Sequence, residues 1–346
     1  MPPALDWATV WSAIGSLLED AMHVRDLAAA GGVLAATLLI AAPAAAQPRP
    51  YQASRTPDGK PDLQGTFTFR TITPLQRPGA LANKDKLTPE EAAKFEAEEN
   101  LRLNRDTYDP EKGQPSAGYP PRSQGGVLSY NDFWYERGNQ LTEDKRTSLI
   151  IDPPDGRIPL APRTGGGRNA GAGRYDSYEN LSLADRCLLG FNSGPPMISG
   201  TYNNNVLIVQ TRDYVVLQTE MIHEARIIPL NGRPHGALPR WIGDSRGRWE
   251  GDTLVVETIN FKRETSAPGS SATTKLVERF TRVGPDTIKY EFTVSDPTTL
   301  ARPWTAVEPL TRIDEMMYEY ACHEGNIGMT GILSGARFLE KEEAKK

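Results

Sequence analysis

Residues 287–294 alternate without a break: Ile288, Tyr290, Phe292 and Val294 are apolar, while Thr287, Lys289, Glu291 and Thr293 are polar. A period of two puts successive side chains on opposite sides of the backbone, which suits a strand with one buried face and one wet face. The preceding run 276–283 is joined to it by Gly284-Pro285-Asp286, a turn of hairpin length, so this part of the chain is committed to antiparallel sheet. Further strands are expected at 206–210, 214–230, 253–261, 304–312 and 317–323. Six or more sequential strands with short turns and little helical pattern predict an all-β fold over residues 175–340. It would be an antiparallel β-barrel, lipocalin-like in its most specific form, or a curved sandwich.

Residues 47–174 read differently. Proline recurs every few residues, as in Thr56-Pro57-Asp58-Gly59-Lys60-Pro61-Asp62 and Gly118-Tyr119-Pro120-Pro121, and breaks regular structure, so this stretch is expected to wrap around the barrel. Thr88-Pro89-Glu90-Glu91 is the exception. It offers a capping hydroxyl, a proline at the first helical position and a glutamate three residues after the cap, and predicts a surface helix over 89–103 with Phe95 and Leu101 as a thin apolar stripe. Phe133-Trp134-Tyr135 and residues 148–151 are short apolar runs, the second read as a strand entering the turn Asp152-Pro153-Pro154-Asp155-Gly156. Residues 165–171, rich in glycine, are expected to form a loop; without a Lys-Ser/Thr pair behind them they do not make a phosphate loop.

Residues 27–42 are apolar and small, follow Arg25, and end in Ala44-Ala45-Ala46 before Gln47. That is the pattern of an export signal cleaved after Ala46, with Met22 as the working start and residues 1–21 as an over-extended beginning. A retained N-terminal membrane anchor is the other reading, because Asp26 weakens the positive flank. The expected location is therefore periplasmic or secreted, with no lasting membrane anchor after cleavage. In an oxidising compartment the two cysteines, Cys187 and Cys322, are most simply one disulfide; a catalytic thiol is the rival reading. Removing one arginine and four acids with residues 1–46 takes the formal charge from −5 to −2. A near-neutral chain with no basic block interleaved with aromatics is a poor nucleic-acid binder.

Of four histidines, three lie beyond the leader: His223, His235 and His323. Imidazole titrates near neutral pH and ligates metals readily, so these three nominate the C-terminal half as the working part. Three arrangements are open. The histidines converge on a divalent metal such as zinc, with Glu324 as fourth ligand or base. A polar row of Gln218, Glu220, Glu224 and Arg226 lines a barrel lumen, pairs with groups such as Arg246, Glu257 or Glu319, and performs acid–base work. Or the charges face water and the histidines are structural. If 214–230 is one strand, His223 lies on its apolar face and Glu224 on the other, which separates the two. Trp241 to Asp252 packs two tryptophans, two arginines and three acids between glycines; Trp241 and Trp249 stacked with arginine would wall a cleft, and a charged hairpin loop is the plainer reading. Tyr202-Asn203-Asn204-Asn205 is a further polar cluster, with Tyr202 and Asn204 as candidate ligand contacts or simply turn formers.

Four segments together resemble a large family of exported bacterial proteins, usually labelled hypothetical. They are Thr56-Pro57-Asp58-Gly59-x-Pro61-Asp62-Leu63-Gln64-Gly65, Ile227-Ile228-Pro229-Leu230-x-Gly232-Arg233-Pro234-His235, the run Gly243 to Val256, and Tyr320-x-Cys322-His323-Glu324-Gly325-Asn326. The resemblance implies export and a single architectural unit, and it transfers no catalytic residue. The resulting expectation is an exported hydrolase- or lyase-like enzyme acting on a small or oligomeric substrate in a barrel cavity through His223, His235, His323, Glu224, Glu324 and Arg246. Tyr202, Asn204, Glu220, Trp241 and Trp249 would bind the substrate. The alternative is a non-catalytic carrier of an apolar or aromatic small molecule.

Overall fold

The computed structural model describes residues 51–104, 132–162, 175–262 and 267–345. The expected leader, Gly118-Tyr119-Pro120-Pro121 and the glycine-rich 165–171 lie outside them. Ten strands form one antiparallel sheet: β1 (Gly65–Thr68), β2 (Ile150–Asp152), β3 (Asn205–Gln210), β4 (Tyr214–Thr219), β5 (Ala225–Pro229), β6 (Asp244–Glu250), β7 (Thr253–Ile259), β8 (Lys275–Arg282), β9 (Thr287–Ser295) and β10 (Trp304–Arg312). Nine follow the order β5-β4-β3-β1-β10-β9-β8-β7-β6, and β2 pairs with β10 beside that path. The two ends of the path meet. A Cβ on Gly247 of β6 would stand 2.9 Å from Ile228 Cγ2 and 2.6 Å from Leu230 Cδ2, so the bare backbone there is what lets β5 approach and nearly close the barrel.

The β8–β9 hairpin shows why the sheet curls. Its register sets Phe280 opposite Tyr290, Glu278 opposite Phe292 and Leu276 opposite Val294, with all six side chains buried. Rings continue around the inside from Phe280 to Tyr290, Phe292 and Trp304 at centroid spacings of 4.8, 5.4 and 5.7 Å. With Phe67, Ile208, Leu217 and Leu310, these side chains fill the interior as one core. Met197, whose N–H donates to Tyr290 Oη at 3.1 Å, joins the same core. A cavity of about 10 Å³ lies between Ser193, Thr219, Glu224 and Arg226, room for a single water. Among the described residues, packed side chains fill the interior where a substrate-sized lumen was expected.

The expected helix is present as α1 (Pro89–Leu103): Glu91 N donates to Thr88 Oγ1 at 3.3 Å, and Thr88 N donates to Glu91 Oε2 at 2.9 Å. It rests Ala92 and Phe95 on a small second core with Ile72 and Leu141. Other elements differ from expectation. The N-terminal wrap contributes β1 to the middle of the barrel, between β3 and β10, because four residues with fully buried Phe67 suffice to bridge them. Residues 214–230 are two strands, since Ile222 and His223 adopt positive φ (61° and 44°) and turn the chain back at Glu220–Glu224. Residues 317–323 alternate in character but form no strand; Tyr318 is 71% exposed and has no sheet edge to join. A second helix, α2 (Ile327–Glu343), follows where barrel was expected, capped by Asn326, whose Oδ1 accepts from Met329 N.

Candidate functional site

The disulfide between Cys187 and Cys322 is formed, 135 residues apart in sequence, with Cα atoms 5.6 Å apart. It ties the chain leaving β10 to the loop before β3, and Tyr320 stands two residues ahead of it. There Tyr320 packs against Tyr202, with ring centroids 6.4 Å apart and planes 23° from parallel. Tyr202 also meets Tyr135 at 6.4 Å and the edge of Phe191 at 5.4 Å. Tyr135, Tyr202 and Tyr320, with Trp134, Glu136 and Asn203, line an open groove of about 530 Å³, a size that suits a small organic molecule.

Glu136 and Asn203 line this groove, and Asn204, Asn205 and Glu220 are buried, Asn204 and Asn205 hydrogen-bonded to Glu136 and Glu220 to Asn205. Asn204 is fully buried: its Nδ2 donates to Glu136 O (2.7 Å) and Gly200 O (3.1 Å), and its Oδ1 accepts from Gly200 N (2.7 Å). Asn204 therefore anchors the backbone that presents Glu136 and does not itself face a ligand, contrary to its expected role. Asn205 Nδ2 donates to Glu220 Oε2 at 2.8 Å and to Glu136 Oε1 at 3.3 Å, so those two oxygens are at most about 6 Å apart, a spacing within which paired carboxylates cooperate. Arg70 holds Glu136 by a 2.8 Å ion pair. Burial, and then the Glu136 charge, raise the Glu220 carboxyl above its ordinary value; hydrogen bonds from Asn205 and Asn203 act against that rise. The Glu220 carboxyl is thus biased toward its protonated form beside Glu136.

The histidines do not converge. His223 sits exposed in the β4–β5 turn, its Nδ1 3.3 Å from Tyr320 O. His235 lies between carboxylates, Nδ1 3.3 Å from Asp244 and Nε2 3.5 Å from Glu257. His323 and Glu324 occupy an exposed turn after the disulfide. Among the described residues no group of three or more His, Cys, Asp or Glu side chains is placed to hold a metal ion, so the zinc arrangement is not built. The lumen row is also rearranged. Arg226 does point inward, but it forms a bidentate pair with Glu278 at 2.6 and 2.9 Å, and Tyr290 Oη donates to Glu278 at 2.7 Å. Arg246 instead binds Asp244 (2.8 Å) and Pro234 O (3.0 Å), tying the loop before β6.

Glu224 borders the small interior cavity, where burial raises its carboxyl despite the neighbouring His223 and Arg226 charges. Trp241 carries Lys262 over its ring at 4.5 Å and Arg186 at 5.7 Å, whereas Trp249 leans on the main core; the two do not form one cleft wall. Of the expected site residues, Tyr202 lines the groove, while Glu220 reaches Glu136 through Asn205 and His223 meets the backbone of Tyr320. Trp134, Tyr135, Glu136 and Tyr320 were missed as ligand contacts. The aromatic run 133–135 followed by a carboxylate was legible, but nothing local says that it meets Tyr202, whose partner segments lie far along the chain. No protein family and no curated protein matches the chain.

Proposed function

We propose that this chain is an exported binding protein for a small molecule with a flat apolar or aromatic face, held in the groove between Tyr135, Tyr202 and Tyr320. The observation that carries this reading is the groove itself: three tyrosines and Trp134 around about 530 Å³, with Glu136 and Asn203 in the lining. The filled barrel interior favours the same surface over the lumen. Export is supported by the leader pattern, by the resemblance to exported bacterial proteins and by the disulfide, which suits an oxidising compartment. Among the described residues no helix is long and apolar enough to cross a membrane. The test is a titration with small organic probes, neutral and charged, followed by Trp and Tyr fluorescence. Saturable binding that Tyr202→Ala weakens at least about fivefold supports the groove; no saturable binding of any probe at millimolar concentration sinks it.

The Glu136–Glu220 pair favours a second reading, in which the groove also performs hydrolase- or lyase-like chemistry. Glu220 would supply the proton and Glu136 would act as base. Under that reading Glu220→Gln removes the alkaline limb of the turnover profile together with most activity, while ligand affinity stays within about threefold. An unchanged pH profile would leave binding alone.

A further inference from the structure

We propose that the groove selects an organic cation, a small quaternary or tertiary ammonium, because its tyrosine and tryptophan rings line a space in which Glu136 is the charged residue among the described ones. This rests on the binding reading above and narrows its ligand. Aromatic faces carry negative electrostatic potential, so several rings around one space attract a cation whose hydration is too weak to compete. Tyr135 already holds the Arg137 guanidinium 5.5 Å from its centroid, a contact of the same kind within the chain. Among the described residues that line the groove, Glu136 supplies a negative charge and none supplies a positive one.

Arg70 and Asn205 both approach Glu136 at Oε1, on one side of the carboxylate. An anion would meet no basic side chain among the described lining residues. A neutral sugar or aryl group would gain the ring contacts and leave the charge unused.

Choline and dimethylbutanol, its uncharged carbon isostere, separate these cases on the intact chain. The expected result is choline binding at least about tenfold tighter than the isostere, with Tyr202→Leu, which keeps apolar area and removes a π face, bringing the ratio toward parity. Glu136→Gln should lower choline affinity and spare the isostere. Equal affinity of the two probes would overturn the cation inference and leave the groove reading standing. Binding of neither would overturn both.

Discussion

Glu308 sits on β10 with no exposed surface; its Oε1 accepts from Ser199 N at 3.0 Å, and Oε2 has no hydrogen-bond partner in the described structure. Burial drives its carboxyl well above the ordinary value of 4.5, so the folded protein keeps a proton that the unfolded chain releases. Because the folded state binds more protons, stability falls as pH rises from about 4.5 toward the folded value, at up to about 1.4 kcal/mol per pH unit. Glu308→Gln keeps an acceptor for Ser199 and removes the titration. Its stability relative to wild type, measured by urea denaturation, should therefore grow between pH 4 and pH 8; a constant difference would refute the buried proton. Arg226 poses the opposite case, a charge made tolerable by Glu278. Arg226→Met strands that carboxylate and should cost about 3–5 kcal/mol, with Arg226→Met/Glu278→Leu recovering most of it. The sequence marked Arg226 as polar within a strand; its inward direction depended on where the preceding turn fell.

That turn is the clearest lesson among the elements. Residues 214–230 look like one continuous β pattern, yet the positive φ at Ile222 and His223 splits them and inverts the second half, so that Arg226 and Ile228 face inward while Ala225 and Ile227 face water. No glycine, asparagine or proline marks the site: the turn is held by Thr219 N to Glu224 O (2.9 Å) and His223 N to Glu220 O (3.0 Å), contacts that exist once β4 and β5 have paired. β6 was missed for a related reason: Arg246, Arg248 and Glu250 mask alternation in a strand whose neighbour is close enough to require Gly247. Gly247→Val should therefore overpack the β5–β6 seam and cost about 1–3 kcal/mol by thermal or urea unfolding. A neutral effect would mean that the barrel is open there. By contrast β8, β9, β10 and α1 were legible nearly residue by residue, because their alternation and capping signals are local.

At the scale of the molecule, one covalent link joins stability to the groove. In the chain-entropy account, the Cys187–Cys322 bridge across 135 residues stabilises the fold by about 4–5 kcal/mol, and it also fixes the tail that carries Tyr320. Cys187→Ser/Cys322→Ser should lower the unfolding midpoint and, where the chain remains folded, weaken probe binding at the groove; retained affinity would show that Tyr320 is positioned without the bridge. The sequence by itself determined the antiparallel class, the helix start and the strands of the β8–β10 meander, since periodicity and caps act between near neighbours. Only the tertiary structure decided that β1 enters the sheet, that large aromatics fill the interior, that the histidines stay apart, and that Tyr135, Glu136, Tyr202, Glu220 and Tyr320 meet. Those outcomes follow from side-chain volume and from pairing between distant segments, quantities that a local pattern does not carry.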